Sequence, residues 1–122
     1  MNDPAEPVYD PQDLERLLVS REWAGDVDGM VALYEPHAII DCGDGQLVEG
    51  KEAIRKFFAE LVAAGRKFER GIQSPALVCG DLALTSTLFI DGNVTAEVAR
   101  RQSDGTWLWV IDRFSIAKVT NK

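Results

Sequence analysis

One acidic residue sits inside an otherwise apolar, strand-like run: Asp112, in Trp107–Phe114. Strict alternation along that run places Asp112 on one face with Leu108, Val110 and Phe114, and puts Trp107, Trp109 and Ile111 on the other. A carboxylate on a partly dry apolar face has its charged form disfavoured, so its pKa rises toward the range useful for proton transfer. The structural alternative is a buried ion pair with Arg100, Arg101 or Arg113. Two further acids, Asp41 and Glu97, lie in neighbouring β-like runs. On residues alone, Asp41 reads as a turn residue ahead of Gly43 and Glu97 as a cross-strand partner for an arginine. Ser86 interrupts Leu84 and Leu88 and reads either as a ligand hydrogen-bond donor or as a satisfied core hydroxyl.

Other chemistries find no seat. The single histidine, His37, falls in a loop entering a strand, which excludes a multi-histidine metal centre and a Ser-His-Asp set. No metal site is expected. Cys42 and Cys79 form no CxxC pattern and read as buried free thiols rather than a disulfide framework. No phosphate loop or dinucleotide fingerprint is present, and no cofactor is implied. With 122 residues, 46% hydrophobic and 27% charged, the chain reads as one domain burying roughly two-thirds of its unfolded surface. Its net charge of -7 would repel phosphate backbones and anionic lipid, so nucleic acid and membrane are poor partners. No stretch approaches the roughly 18 apolar residues of a membrane span, and the N-terminus lacks a signal-like run, so a cytoplasmic location is expected.

The elements that must position these residues follow from periodicity. Residues 1–9 read as a flexible arm, and the single domain as 10–122. Asp10 and Pro11 open a first helix with an inward stripe at Leu14, Leu17 and Leu18 that runs toward Trp23 and ends at Gly25. Asp26 caps a short second helix in which Val27, Met30, Val31 and Tyr34 share a face, with Pro36 as its stop. Ala38–Cys42 and the region of Leu47 and Val48 read as two strands joined through Gly43, Asp44 and Gly45. A third helix past Gly50 carries Ile54, Phe57, Phe58, Leu61 and Val62 on one stripe and closes at Gly65. Beyond Lys67, turn signals at Gly80-Asp81, Asp91-Gly92-Asn93 and Asp104-Gly105 separate four antiparallel strands. The layout is α+β, with three N-terminal helices packed on a curved, mainly antiparallel sheet. Two tryptophans on the uncovered face would form a large apolar patch, so a homodimer through the outer sheet face is expected.

Four strings in this order resemble one superfamily: Trp23-Ala24-Gly25-Asp26-Val27-Asp28 with Leu33-Tyr34, Gly50-Lys51-Glu52-Ala53-Ile54, Gly80-Asp81-Leu82-Ala83-Leu84-Thr85, and Arg101-Gln102-Ser103-Asp104-Gly105-Thr106-Trp107. The chain from about Leu14 to Phe114 resembles the group containing nuclear transport factor two, ketosteroid isomerase and the SnoaL-like polyketide cyclases. The resemblance implies a cone-shaped fold, usually dimeric, whose sheet curls around a pocket closed by helices. From the helices, Leu18, Trp23, Phe57 and Leu61 are expected to line it; from the strands, Ile40, Leu84, Ser86, Leu88, Val110 and Phe114.

By the same resemblance, Asp112 matches the acid-base Asp of the cyclases, seven residues beyond the hairpin Gly105, while Val110 stands where they carry a histidine. Asp41 or Cys42 falls at the isomerases' base position, Glu97 near their acidic oxyanion donor, and Leu18 where their tyrosine belongs. Two carboxyls without that phenol argue against steroid isomerisation. The resemblance therefore implies a small-molecule-binding protein with an apolar pocket and, where catalytic, cofactor-independent isomerisation, cyclisation or elimination on an apolar carbonyl compound. Asp112 would be the acid-base, and Asp41 or Glu97 would orient the substrate. The competing reading is a non-catalytic ligand-binding or dimeric association module.

Overall fold

The computed structural model describes residues 6–43 and 45–118. Helix α1 (Asp13–Trp23) starts one turn inside Asp10, whose carboxylate accepts from the Gln12 N–H at 3.0 Å, and α2 (Val27–Val31) is capped by Asp26 accepting from the Gly29 N–H. Gly25, at φ 72°, makes the corner between them, a left-handed conformation that a Cβ would disfavour. Helix α3 (Lys51–Ala63) buries Ile54, Phe58 and Leu61, three of its five stripe residues.

Helix α2 is shorter than its apolar spacing suggests. Tyr34 is the first residue of strand β1 (Tyr34–Asp41), because Pro36 drives the preceding backbone out of the helical region as well as ending the pattern. Strand β2 (Leu47–Glu49) pairs with β1, and Lys51 follows at once. The expected four strands of the C-terminal half are present, with the first two each broken in the middle. They are β3 (Ile72–Gln73) and β4 (Leu77–Cys79), β5 (Leu82–Thr85) and β6 (Thr87–Leu88), β7 (Asn93–Arg101) and β8 (Trp107–Lys118). One eight-stranded sheet results, ordered β2-β1-β8-β7-β5-β4, with β6 also on β7 and β3 on β6; β1 runs parallel to β8 and every other pair is antiparallel.

Two stretches of the sheet turn other faces inward than the sequence suggests, β8 because it departs from strict alternation and β5–β6 although they keep it. In β8 the pairing steps from Ala99↔Trp109 to Val98↔Ile111, so Val110 is an extra, bulged residue. The bulge turns Trp107, Trp109 and Asp112 all to the concave face, where they are buried, and sends Ile111 outward. The tryptophans are therefore core, not an outer patch: Trp109 packs on Tyr34 with ring centroids 5.2 Å apart. In β5 and β6 the threonines take the inside. Ala83, Thr85 and Thr87 are buried, whereas Leu82, Leu84 and Leu88 face out. Strands β5 and β6 pair with β7, whose Thr95 and Glu97 also point in, so this half of the concave face is polar.

Within the expected N-terminal arm, residues 1–5 lie outside the described residues, but Val8 is buried, its carbonyl accepts from the Trp107 N–H at 2.8 Å, and Glu6 pairs with Arg16. No helix among the described residues is long and apolar enough to cross a membrane. Cys42 is half-buried and Cys79 exposed, rather than both being core thiols, because β4 lies at the sheet edge. Removing the α2 cap by Asp26→Ala should lower unfolding stability by about 1 kcal/mol, read as an earlier urea midpoint at unchanged slope.

Candidate active site

Helices α1 and α3 and the curl of the sheet enclose a cavity of about 610 Å³. The apolar part of its wall is Leu18 from α1, Phe57 and Leu61 from α3, Phe68 from the segment after α3, Phe89 just past β6 and Phe114 on β8; Gln46, Asn93, Thr95 and Ser115 are among its polar lining. Phe57 and Phe68 both pack against Phe114, at 5.9 and 6.3 Å between ring centroids. Inward carboxyl groups meet this cavity from three elements, Glu15 on α1, Glu97 on β7 and Asp112 on β8, and the exposed Glu69 and Asp91 also line it.

Glu97 and Asp112 are register partners on adjacent antiparallel strands and point to the same, concave face. Such a pair has Cβ atoms about 4.5–5.5 Å apart, a distance at which two like charges repel strongly once water is excluded. Each carboxyl has a hydroxyl partner. The Tyr34 hydroxyl donates to Asp112 Oδ2 at 2.5 Å, and the Thr85 hydroxyl donates to Glu97 Oε1 at 2.7 Å. Burial, then the Glu97 charge, hold the Asp112 carboxyl well above the ordinary carboxylate range, against the lowering effect of the Tyr34 hydrogen bond. Burial also raises Glu97, opposed by its bonds from Thr85 and Thr95. Glu15 is pushed up to about 7 by burial and by Glu97, with Arg70 acting in the other direction. The Tyr34 phenol, buried against Asp112, is raised well above its usual value and remains a donor. A proton is thus held within the cluster close to neutral pH, and a hydrogen-bonded carboxylic acid and a carboxylate can coexist at the cavity floor.

The residues expected from the sequence divide by strand parity. Asp112, Glu97, Leu18, Phe57, Leu61 and Phe114 line the cavity. Asp41 does not: it shares the convex face with its register neighbour Arg113, whose Nε lies 3.1 Å from Asp41 Oδ2, and it also accepts from the Gly43 N–H. The inward residue at that end of the strand is Cys42, whose thiol is pushed up to about 11 by burial, Asp112 and Asp41, and so stays protonated. Leu84 and Leu88 are on the convex side, Val110 is the bulge, and Ser86 donates to the Thr95 carbonyl at 2.7 Å, a satisfied hydroxyl. Ile40 is core beside Asp112. Trp23 is largely exposed and donates its indole N–H to the Phe68 carbonyl.

Two residues of the site escape the sequence patterns used above. Glu15 borders the α1 stripe three residues before Leu18, a spacing that places both on one face. Tyr34 was masked by its apparent helical phase, although Pro36 two residues later marks extended backbone. Among the described residues, no three His, Cys, Asp or Glu side chains are grouped to hold a metal ion.

A family model, the SnoaL-like domain, matches residues 15–118. This chain belongs to the SnoaL-like domain family. Among solved structures, this SnoaL-like domain is similar to a Nostoc punctiforme protein of unknown function with a cystatin-like fold, with TM-score 0.74 and 14% identity over 91% of this chain and 76% of that one. It is also similar to a candidate dehydratase of the NTF2-like family from Streptomyces avermitilis, with TM-score 0.69 and 15% identity over 87% of this chain and 92% of that one. A candidate calcium/calmodulin-dependent protein kinase type II association domain from Thiobacillus denitrificans aligns with TM-score 0.67 and 19% identity over 88% of this chain and 96% of that one. No curated protein matches. At these identities the likeness establishes an NTF2-like, cystatin-like α+β fold, and the chemistry has to be argued from the SnoaL-like domain's own residues.

The buried carboxyls set a pH dependence of stability. Glu15 binds its proton more tightly folded than unfolded, so between its ordinary value of 4.5 and about 7 the native state holds the extra proton. Stability is then greatest below that window and falls as pH rises through it, by on the order of 3 kcal/mol for a carboxyl moved this far. Glu97 and Asp112 act in the same direction. Urea unfolding at pH 5 and pH 8 should show the loss, and Glu15→Gln should reduce it.

Proposed function

We propose that this SnoaL-like domain binds a small, mostly apolar carbonyl compound and transfers a proton on it without a cofactor. The observation that carries this reading is the facing pair Glu97 and Asp112 at the floor of an aromatic-walled cavity, with Tyr34 holding one oxygen of Asp112. Asp112 Oδ2 is engaged by the phenol, leaving Oδ1 for a ligand. In its neutral form Asp112 donates to the substrate carbonyl oxygen, while Glu97 as carboxylate removes a proton from the adjacent carbon. The electron pair of that C–H bond moves into the new C=C, and the carbonyl oxygen takes the hydrogen bond or proton. Returning the proton to a different carbon gives isomerisation; loss of a leaving group at the β carbon gives elimination. No net oxidation occurs on either route. The phenol that the sequence comparison finds missing from α1 is supplied from a different element, Tyr34 on β1, where it acts behind the acid rather than directly on substrate.

The convex face favours a second property, assembly as a homodimer. Ile72, Leu77, Leu84 and Ile111 lie on it at 74%, 68%, 47% and 49% exposure, and apolar residues in such a concentration are covered in most stable folds. The expected dimer thus rests on a leucine and isoleucine surface in place of the tryptophans. A non-catalytic association module would use the same face and leave the floor carboxyls idle.

Deuterium uptake from D2O into 2-tetralone, followed by NMR, isolates the proton-transfer step whatever the final product. Asp112→Asn and Glu97→Gln should each reduce the enzyme-dependent rate by about 100-fold or more. Wild-type uptake equal to the buffer rate, or uptake unaffected by both variants, would leave only the association reading. Sedimentation velocity at micromolar concentration should show a dimer that Leu84→Glu converts to monomer; a monomeric wild type contradicts the assembly.

A further inference from the structure

Resting on the proposed function, one feature of the same cavity specifies the substrate class. The chain carries a net charge of -7, and among the described residues five acidic side chains line the cavity, the inward Glu15, Glu97 and Asp112 and the exposed Glu69 and Asp91, against two cations, Arg66 and Lys67, which are consecutive and exposed. Neither makes a salt bridge among the described residues. Arg16, Arg55, Arg100, Arg101 and Arg113 each do. Lys67 instead stands over the Trp23 ring, 5.4 Å from its centroid.

The segment that bears these cations is fixed in place. Glu22 Oε1 accepts from the Phe68 N–H at 2.9 Å and the Trp23 indole donates to the Phe68 carbonyl at 2.7 Å, so the end of α1 grips both backbone groups of the next residue. The cations are thereby held against the opening while the Phe68 ring enters the apolar wall.

Charge decides which end of a ligand goes where. An anionic group cannot be placed at the floor, where Glu97 and Asp112 already disfavour each other's ionisation. It is attracted to an exposed guanidinium and an exposed ammonium that make no salt bridge among the described residues. We infer that the substrate is an amphiphilic keto acid: a carbonyl directed to the Glu97–Asp112 floor, an aromatic or alicyclic body against Phe57, Phe68 and Phe114, and a carboxylate held by Arg66 and Lys67. The mouth charge then selects orientation, bringing the neutral carbonyl end to the acid-base pair.

The test compares 6-acetyl-2-naphthoate with its neutral methyl ester, binding measured by calorimetry on the full chain. The carboxylate should bind about fivefold or more tightly than the ester, and the preference should shrink at high salt, as screening of exposed charges requires. The double variant Arg66→Gln with Lys67→Gln, both exposed positions, should abolish the preference by weakening carboxylate binding far more than ester binding. Lys67→Arg should retain it. Equal or tighter binding of the ester by wild type, or a preference that survives the double variant, overturns the keto-acid assignment. In that event 2-tetralone exchange that still depends on Asp112 leaves the proton-transfer reading standing. Failure of both naphthalene ligands to bind counts against the assignment, and loss of Asp112-dependent exchange as well would remove the proton-transfer reading with it.

Discussion

The single extra residue at Val110 determines what the last strand can do. Without it, alternation would put Asp112 and the two tryptophans on opposite faces: a buried carboxylate would come with two exposed indoles, or the reverse. With it, Trp107 and Trp109 are buried in the core and Asp112, three residues beyond Trp109, still faces inward at the start of the cavity. The strand thus changes from core filler to site within three residues. Beyond that point the pairing shifts again between Ala96↔Arg113 and Val94↔Ala117, where the strand lends Phe114 and Ser115 to the cavity wall. Bulges are the means by which one continuous strand serves both packing and chemistry.

Carboxyls collected on one dry face cost folding free energy, and the structure limits that cost in two ways. Hydroxyls from Tyr34 and Thr85 satisfy one oxygen each on Asp112 and Glu97, so neither group is buried without a partner. The remaining strain is relieved by proton retention, which neutralises part of the cluster at the pH where it would otherwise repel itself. Asp41 illustrates the opposite solution. One residue earlier on its strand than the inward Cys42, it lies half-exposed beside Arg113 and stays an ordinary surface ion pair. One step along a strand separates a reactive carboxyl environment from an inert one.

This is why the fold was more legible than the site. The α3 stripe, the Asp26 cap, the glycine corners and the hairpin turns are local signals, each spanning a few residues, and the structure contains all of them. The SnoaL-like strings likewise cover most of the chain. Site placement depends instead on which face a strand turns inward: the bulge at Val110 resets the parity of β8, while β5 and β6 keep their alternation and turn the threonines rather than the leucines to the hollow. Glu97 and Asp112 were named and do reach the cavity, although the alternation argument gave Asp112 the wrong neighbours, with Val110 and Leu108 in place of the tryptophans. Asp41, Leu84 and Leu88 sit on stretches that do alternate, and lie on the face that turns outward. Tyr34 was visible only by weighing Pro36 above a helical spacing.

The β5–β7 half of the sheet has the polarity of an ordinary surface sheet turned over. Its inner face carries Thr85, Thr87, Thr95 and Glu97, all buried, and its outer face carries Leu82, Leu84 and Leu88, all exposed. A strand of this composition gains nothing from the usual rule that apolar side chains point to the core. It is consistent with two demands made on the same strands at once. The hollow inside needs hydroxyls to orient carboxyls and to face a ligand's polar end, while the outside needs an apolar surface for the proposed second copy. The β1–β8 half has no such inversion: Ala38, Ile40, Trp107 and Trp109 fill its inner face, with α3 packed on β1 and α1 on β8, which fixes the scaffold against which the other half can afford to be hollow. Rigidity and vacancy are thus assigned to opposite ends of one sheet, and the Glu97–Asp112 pair lies on the line where they meet.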